Sequence, residues 1–140
     1  MAIVYPAEGR NYLLDVAVNN GSKIGNWYVM LFEGNYTPQD SDTAANIVSR
    51  ATEVTAYAEG TRLPLVIAAP ANGKTSNAGN LARFTLNAPK TIYGFAIVSS
   101  AAKGGTTGKL LCLQKLATPR PYLAGDKVDV PITLELFNPA

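Results

Sequence analysis

Residues 101–111, AAKGGTTGKLL, place glycines just ahead of a lysine, and ANGKTS, residues 71–76, sets Gly73, Lys74 and Thr75 in a row. Gly-Lys before a hydroxyl residue is the core of a phosphate-cradling loop. That loop also needs a first glycine five positions earlier, to let the backbone wrap the phosphate. In the first stretch Lys103 stands where that glycine should be, and Leu110 stands where the hydroxyl should bind magnesium. In the second, Ala68 occupies the first glycine's position. Lys109 moreover leads into a strand-like run and not into a helix. The loop is therefore read as a turn. Gly104, Gly105 and Gly108 supply positive φ between two β-segments, and Lys103 and Lys109 keep its ends in solvent.

The remaining chemistry is thin. The sequence contains no histidine, which removes Ser-His-Asp and Cys-His arrangements and nearly all zinc sites. Cys112, inside KLLCLQKL, has no base partner and reads as a small buried hydrophobe. Asp40 and Asp42 in QDSDTA lack the further oxygen ligands of a calcium loop and read as a turn or helix cap. Glu33 and Glu53 are two carboxylates whose separation spacing does not reveal, so a glycosidase pair is neither supported nor removed. No enzyme activity, cofactor or metal is expected. Trp27, Tyr28, Tyr36 and Tyr57 could form a sugar-stacking platform, but core or interface roles are favoured for them.

Around these residues, segments rich in β-branched and aromatic side chains alternate with Gly, Pro, Asn and Ser clusters. The expected fold is mainly β: a single-domain antiparallel β-sandwich or barrel-like fold over residues 1–140, with one or two short helices. In DKVDVPITLELF (126–137), Val128, Val130, Ile132, Leu134 and Leu136 share one face, with Lys127, Asp129, Thr133 and Glu135 on the other. Pro131 marks an edge or a bulge. WYVMLFE (27–33) and TIYGFAIVSS (91–100) are apolar on both faces, so both faces must be covered. In the second, Ile92, Ala96 and Val98 point one way and Tyr93, Phe95 and Ile97 the other. EVTAYAE (53–59) and LARFTLN (81–87) read as shorter strands and LPLVIAA (63–69) as a weaker one. Residues 6–21 favour a short helix over a strand, from Pro6 and Glu8 to Asn20-Gly21, with Leu13, Val16 and Ala17 on one face. DSDTAANIVSR offers one or two capped helical turns.

Apolar residues make up 47% of the chain and charged residues 16%, below the usual ~25%. A domain this poor in charge often carries apolar surface meant for other chains. The net charge of +2 is dispersed, which argues against nucleic acid or a membrane as partner. The start lacks the basic flank and apolar stretch of a signal peptide, so a soluble product of a cytoplasm is expected. A helix at Leu13–Val18 is too small to cover both two-sided strands. A homo-oligomer, dimer or trimer, is therefore expected, with Trp27, Tyr28, Tyr36, Tyr93 and Phe95 as candidate interface residues.

Three stretches in order carry a resemblance: WYVMLFEGNYTPQDSDTAANI, IYGFAIVSSAAKGGTTGKLL and AGDKVDVPITLEL. Together they resemble small structural proteins of tailed-bacteriophage virions, a capsid decoration (cement) type of family. The match runs over most of residues 5–137 and departs at Met30, where small residues are usual, and at the polar opening EGRNYLLD. It implies a protein made in the host bacterial cytoplasm and placed on the capsid surface, binding the major capsid protein without catalysis. The alternative is a tail-fibre or tail-tip module that recognises a host surface glycan or another tail protein.

Overall fold

The computed structural model describes residues 3–136; Phe137, at the end of the closing run, and Met1 and Ala2 lie outside that range. The order of elements is α1 (Ala7–Val18), β1 (Tyr28–Phe32), α2 (Ala44–Ala51), β2 (Leu63–Pro64), β3 (Lys74–Ser76), β4 (Ala82–Thr85), β5 (Lys90–Val98), β6 (Leu110–Tyr122), β7 (Lys127–Val130) and β8 (Thr133–Glu135). The fold is mainly β with two short helices, its sheets are antiparallel, and no barrel closes. One sheet runs β2-β1-β5-β6, while β4 pairs with β7 and β3 with β8.

Two apolar layers lie on either side of the four-stranded sheet. Between that sheet and the β4–β7 pair sit Val29, Leu31, Phe84, Phe95, Ile97 and Val128. On the opposite face Met30, Phe32, Ala96, Val98 and Leu113 pack against Ala44, Ile47 and Ala51 of α2. The strands that read as apolar on both sides are thus covered within the chain. The cover is α2, from DSDTAANIVSR, and not a second copy of the protein. Ala44, Ala51 and the fully buried Ile47 form the face of this helix that packs on the sheet.

Local capping explains why so short a helix holds. Thr43 accepts from Asn46 N, and the Asn46 side chain accepts from Thr43 N at 2.8 Å, a reciprocal box that satisfies two otherwise orphaned donors. Glu8 Oε1 accepts from Ala44 N (2.8 Å) and from Leu110 N (2.7 Å). One carboxylate on α1 therefore ties the start of α2 to the start of β6. Helix α1 itself begins after Pro6 and ends at Asn19, followed by Asn20 at φ 58°, as the sequence indicated.

The structure corrects four sequence readings. The closing run is not one strand: Pro131 and Ile132 separate β7 from β8, which pair with different partners. The buried Asn77 side chain bridges the gap, donating to Val130 O (2.9 Å) and accepting from Ile132 N (2.8 Å). The face assignment in β7 holds, with Val128, Val130 and Ile132 buried, but Leu136 is 62% exposed. In β5 the pairing register shifts between Ile92 and Gly94. Tyr93 consequently packs on the α2 side and Phe95 on the other, although both were placed on one face. Residues 53–59 make isolated bridges rather than a strand, and only Leu63 and Pro64 of 63–69 are paired as one.

Helix α1 is pinned to β6 through Gly9, the one buried residue of the helix. A Cβ there would lie 1.9 Å from Leu111 O, so the helix must move for any larger residue to fit. Gly9→Ala gains helix propensity of about 1 kcal/mol and meets a backbone clash whose relief costs about 1–3 kcal/mol. A net loss of stability in urea unfolding is expected. A stabilised variant would show that α1 does not depend on its contact with β6.

Candidate functional site

The glycine-rich loop between β5 and β6 is built around an ion pair, not a phosphate. Arg62 and Glu53 side chains are each 1% exposed. Arg62 Nε donates to Glu53 Oε2 (2.8 Å) and Nη2 to Oε1 (2.6 Å). The loop supplies the remaining partners. Ser100 O and Gly105 O accept from the guanidinium, both at 3.0 Å, and Gly104 N donates to Glu53 Oε1 at 2.9 Å. Gly104 and Gly108 have φ of 72° and 81°, as expected of turn glycines, whereas Gly105 is outside the positive-φ region. Lys109 is exposed. Lys103 differs from its expected solvated position: its Nζ donates to Tyr57 O (2.8 Å) and stands 3.9 Å from the Tyr57 ring centroid.

The second lysine-bearing loop is a hairpin tip. Asn72 and Gly73 both have positive φ, 52° and 73°, and Ala71 and Lys74 exchange backbone hydrogen bonds, the geometry of a two-residue hairpin turn. Lys74 faces Glu135 at 3.6 Å.

The carboxylates singled out in the sequence are each engaged. Glu33 pairs with Lys90 at 3.0 Å and Asp40 with Arg10 at 2.5 Å. Asp42 is buried and accepts from Tyr36 Oη, Gln39 N and Arg50 Nη1. The hydrogen bond from Arg10 holds the Asp40 carboxyl below its ordinary range. Among the described residues no group of three acidic, histidine or cysteine side chains could hold a metal ion. Cys112 is fully buried, and burial pushes its thiol up, away from the thiolate that nucleophilic chemistry needs.

The five aromatic residues proposed for an interface do not converge. Phe95 lies in the core between the sheets at 3% exposure. Tyr36 and Tyr93 pack on the α2 side. Tyr28 opens β1 and is half-buried. Of the sugar-platform set, Tyr57 is buried against Phe84. Trp27 stands apart from these, in a groove of about 530 Å³ between α1 and residues 64–67. Its indole meets Tyr12 edge to face, with ring centroids 5.2 Å apart. Tyr12 Oη accepts from Ile24 N at 2.8 Å and so holds the loop that forms the groove's end.

The rim of this groove was not found from the sequence. Residues 66–71, VIAAPA, are exposed one after another, with Val66 at 46% and Ile67 at 42%. Leu14 (61%) and Val18 (78%) are exposed on α1. A run of exposed apolar residues is costly unless another surface covers it. Val66 and Ile67 read as strand material because β-branched residues usually are. The signal that could have found them is Pro64 and Pro70, which lie on either side of Val66 and Ile67 and deny them a continuous ladder.

A family model described as podophage GP4 fiber I protein gp80 matches residues 9–134. No curated protein matches the chain.

The Arg62–Glu53 pair makes a direct test of how the loop is held. Glu53→Ala leaves a buried guanidinium without its counter-charge, which costs about 3–5 kcal/mol. Glu53→Leu combined with Arg62→Met removes both charges and is expected to cost less than Glu53→Ala alone. Chemical denaturation of the single and double variants checks this. Losses that simply add would mean that the two groups act independently.

Proposed function

From a chain that belongs to the podophage GP4 fiber I protein gp80 family, a family of tailed-phage structural proteins, we propose a non-enzymatic fibre component that docks a neighbouring structural protein through its apolar groove. The observation that carries this reading is the match over residues 9–134, which spans elements from α1 through β7. The family description favours the fibre alternative over capsid decoration.

The surface supports the same reading. Trp27 offers a large, rigid apolar contact at low entropic cost, of the kind that dominates protein interfaces. Val66 and Ile67 line the groove, and residues 68–71 together with Leu14 and Val18 of α1 add exposed apolar surface. Many symmetric copies would let a modest contact per subunit add up. The engagement of Glu33, Glu53, Asp40 and Asp42 in ion pairs favours structural over catalytic work for the carboxylates.

Immunogold labelling and gel densitometry of purified particles test the assignment. Label at the fibres or tail, with copies in the dozens or fewer, is expected; label over the head, with copies in the hundreds, would return the protein to capsid decoration. Val66→Asp with Ile67→Asp changes two exposed residues and should leave the fold intact while lowering incorporation into particles by about tenfold or more. Unchanged incorporation would remove the groove from the contact.

A further inference from the structure

Strands β5 and β6 separate part-way along their length. Ile92 pairs with Arg120, but the next paired position joins Gly94 to Lys115. Residues 116–119 of β6 thus oppose Tyr93 alone. Bulges of this kind interrupt a ladder and open the sheet locally. Here a cavity of about 220 Å³ lies at the interruption and reaches Leu31, Phe95, Val128 and Val130 in the core between the sheets. A dry apolar cavity of about 150 Å³ is enough to take benzene, so this one has room for a phenyl ring and a short tether.

Two charged side chains other than core groups line the cavity, and only one is committed. Asp129 is held by Arg83, whose Nε and Nη2 donate to its two oxygens at 2.7 and 3.0 Å. Arg120 is exposed and lines the same cavity, and among the described residues it makes no hydrogen bond or ion pair. A guanidinium free at the rim of an apolar hollow is suited to a carboxylate, which it can bind through two parallel N–H donors. Gly94, beside the interruption, lets Phe32 and β6 approach closely: a Cβ there would lie 2.2 Å from the Phe32 ring and 2.3 Å from Gln114 O.

We propose that this cavity binds an apolar group of about one ring whose carboxylate pairs with Arg120. The carboxylate can belong to a small organic acid or to the last residue of a polypeptide chain, which presents the same chemistry. The site is separate from the groove beside α1, and the proposal does not depend on the fibre reading.

Methyl-detected NMR titrations of the full chain test it with four probes: 3-phenylpropanoate, its amide, and a pentapeptide ending in phenylalanine with a free or an amidated terminus. The methyl signals of Leu31, Val128 and Val130 are expected to shift with at least one carboxylate probe. That probe should bind about tenfold more tightly than its amide, and whether it is the acid or the peptide identifies the source. Arg120→Gln alters an exposed side chain and is expected to abolish the preference for the carboxylate while leaving the amide's affinity unchanged. Unshifted core methyls with every probe, or a carboxylate preference that survives in Arg120→Gln, would overturn the proposal.

Discussion

A guanidinium and a carboxylate removed from water must find all their partners in the protein, and most of the chain around Arg62 and Glu53 is arranged to supply them. Desolvating such a pair costs several kcal/mol for each ion, and mutual attraction offsets this only when the other lone pairs and N–H groups are also satisfied. Here they are met by the backbone of residues 100–105. Those carbonyls and amides come from the connection between the two longest strands. The loop is therefore specified by charge in the interior, and its glycines allow the backbone to turn toward that charge. Glu53 also makes a bridge with Phe32 at the end of β1, which links the pair to the central sheet.

A second carboxylate performs a related task where β6 begins. Glu8 lies on α1, yet the amides it accepts from belong to α2 and β6. Since α2 covers one face of the central sheet, the cover and the sheet are joined through a residue distant from both in sequence. Asn77 does the same for the break between β7 and β8. In each case a single polar side chain stands where regular secondary structure stops, and its hydrogen bonds replace those that the ladder or helix would have made. The charged residues in this chain are few, but several are placed at such junctions.

Patterns that depend on near neighbours were legible in the sequence. The alternation of Val128, Val130 and Ile132 identified a buried face, and two-sided apolarity in 27–33 and 91–98 identified strands covered on both sides. The identity of the cover was not legible, because TAANIVSRA is only about two turns long and two of its three buried positions, Ala44 and Ala51, are alanines with little apolar bulk. The bulge in β5 and β6 was hidden as well. A register shift is a relation between two strands, and neither strand's own pattern records it, so Tyr93 and Phe95 were assigned to one face. Arg62 was missed because GTRLP resembles an ordinary solvated loop. Its burial follows from a partner nine residues away and a loop some forty residues away. The exposed ribbon at 66–71 misled in the opposite sense, since its composition is that of an interior strand.

Edge chemistry on the central sheet has a further consequence for how copies of this chain can meet. The outer half of β6 carries Pro119 and Pro121, both exposed, and the opposite edge is the two-residue β2 with Pro64. The inner half of β6 is capped by the bridge from Val4 to Leu113. Proline offers no N–H, so neither margin presents an unbroken row of donors to a passing strand. Along these margins, copies are thus denied the backbone-to-backbone zippering that begins amyloid growth. Where copies meet across the central sheet, recognition therefore falls to side chains, whose shapes can be selective, rather than to a peptide edge that would accept almost any neighbour.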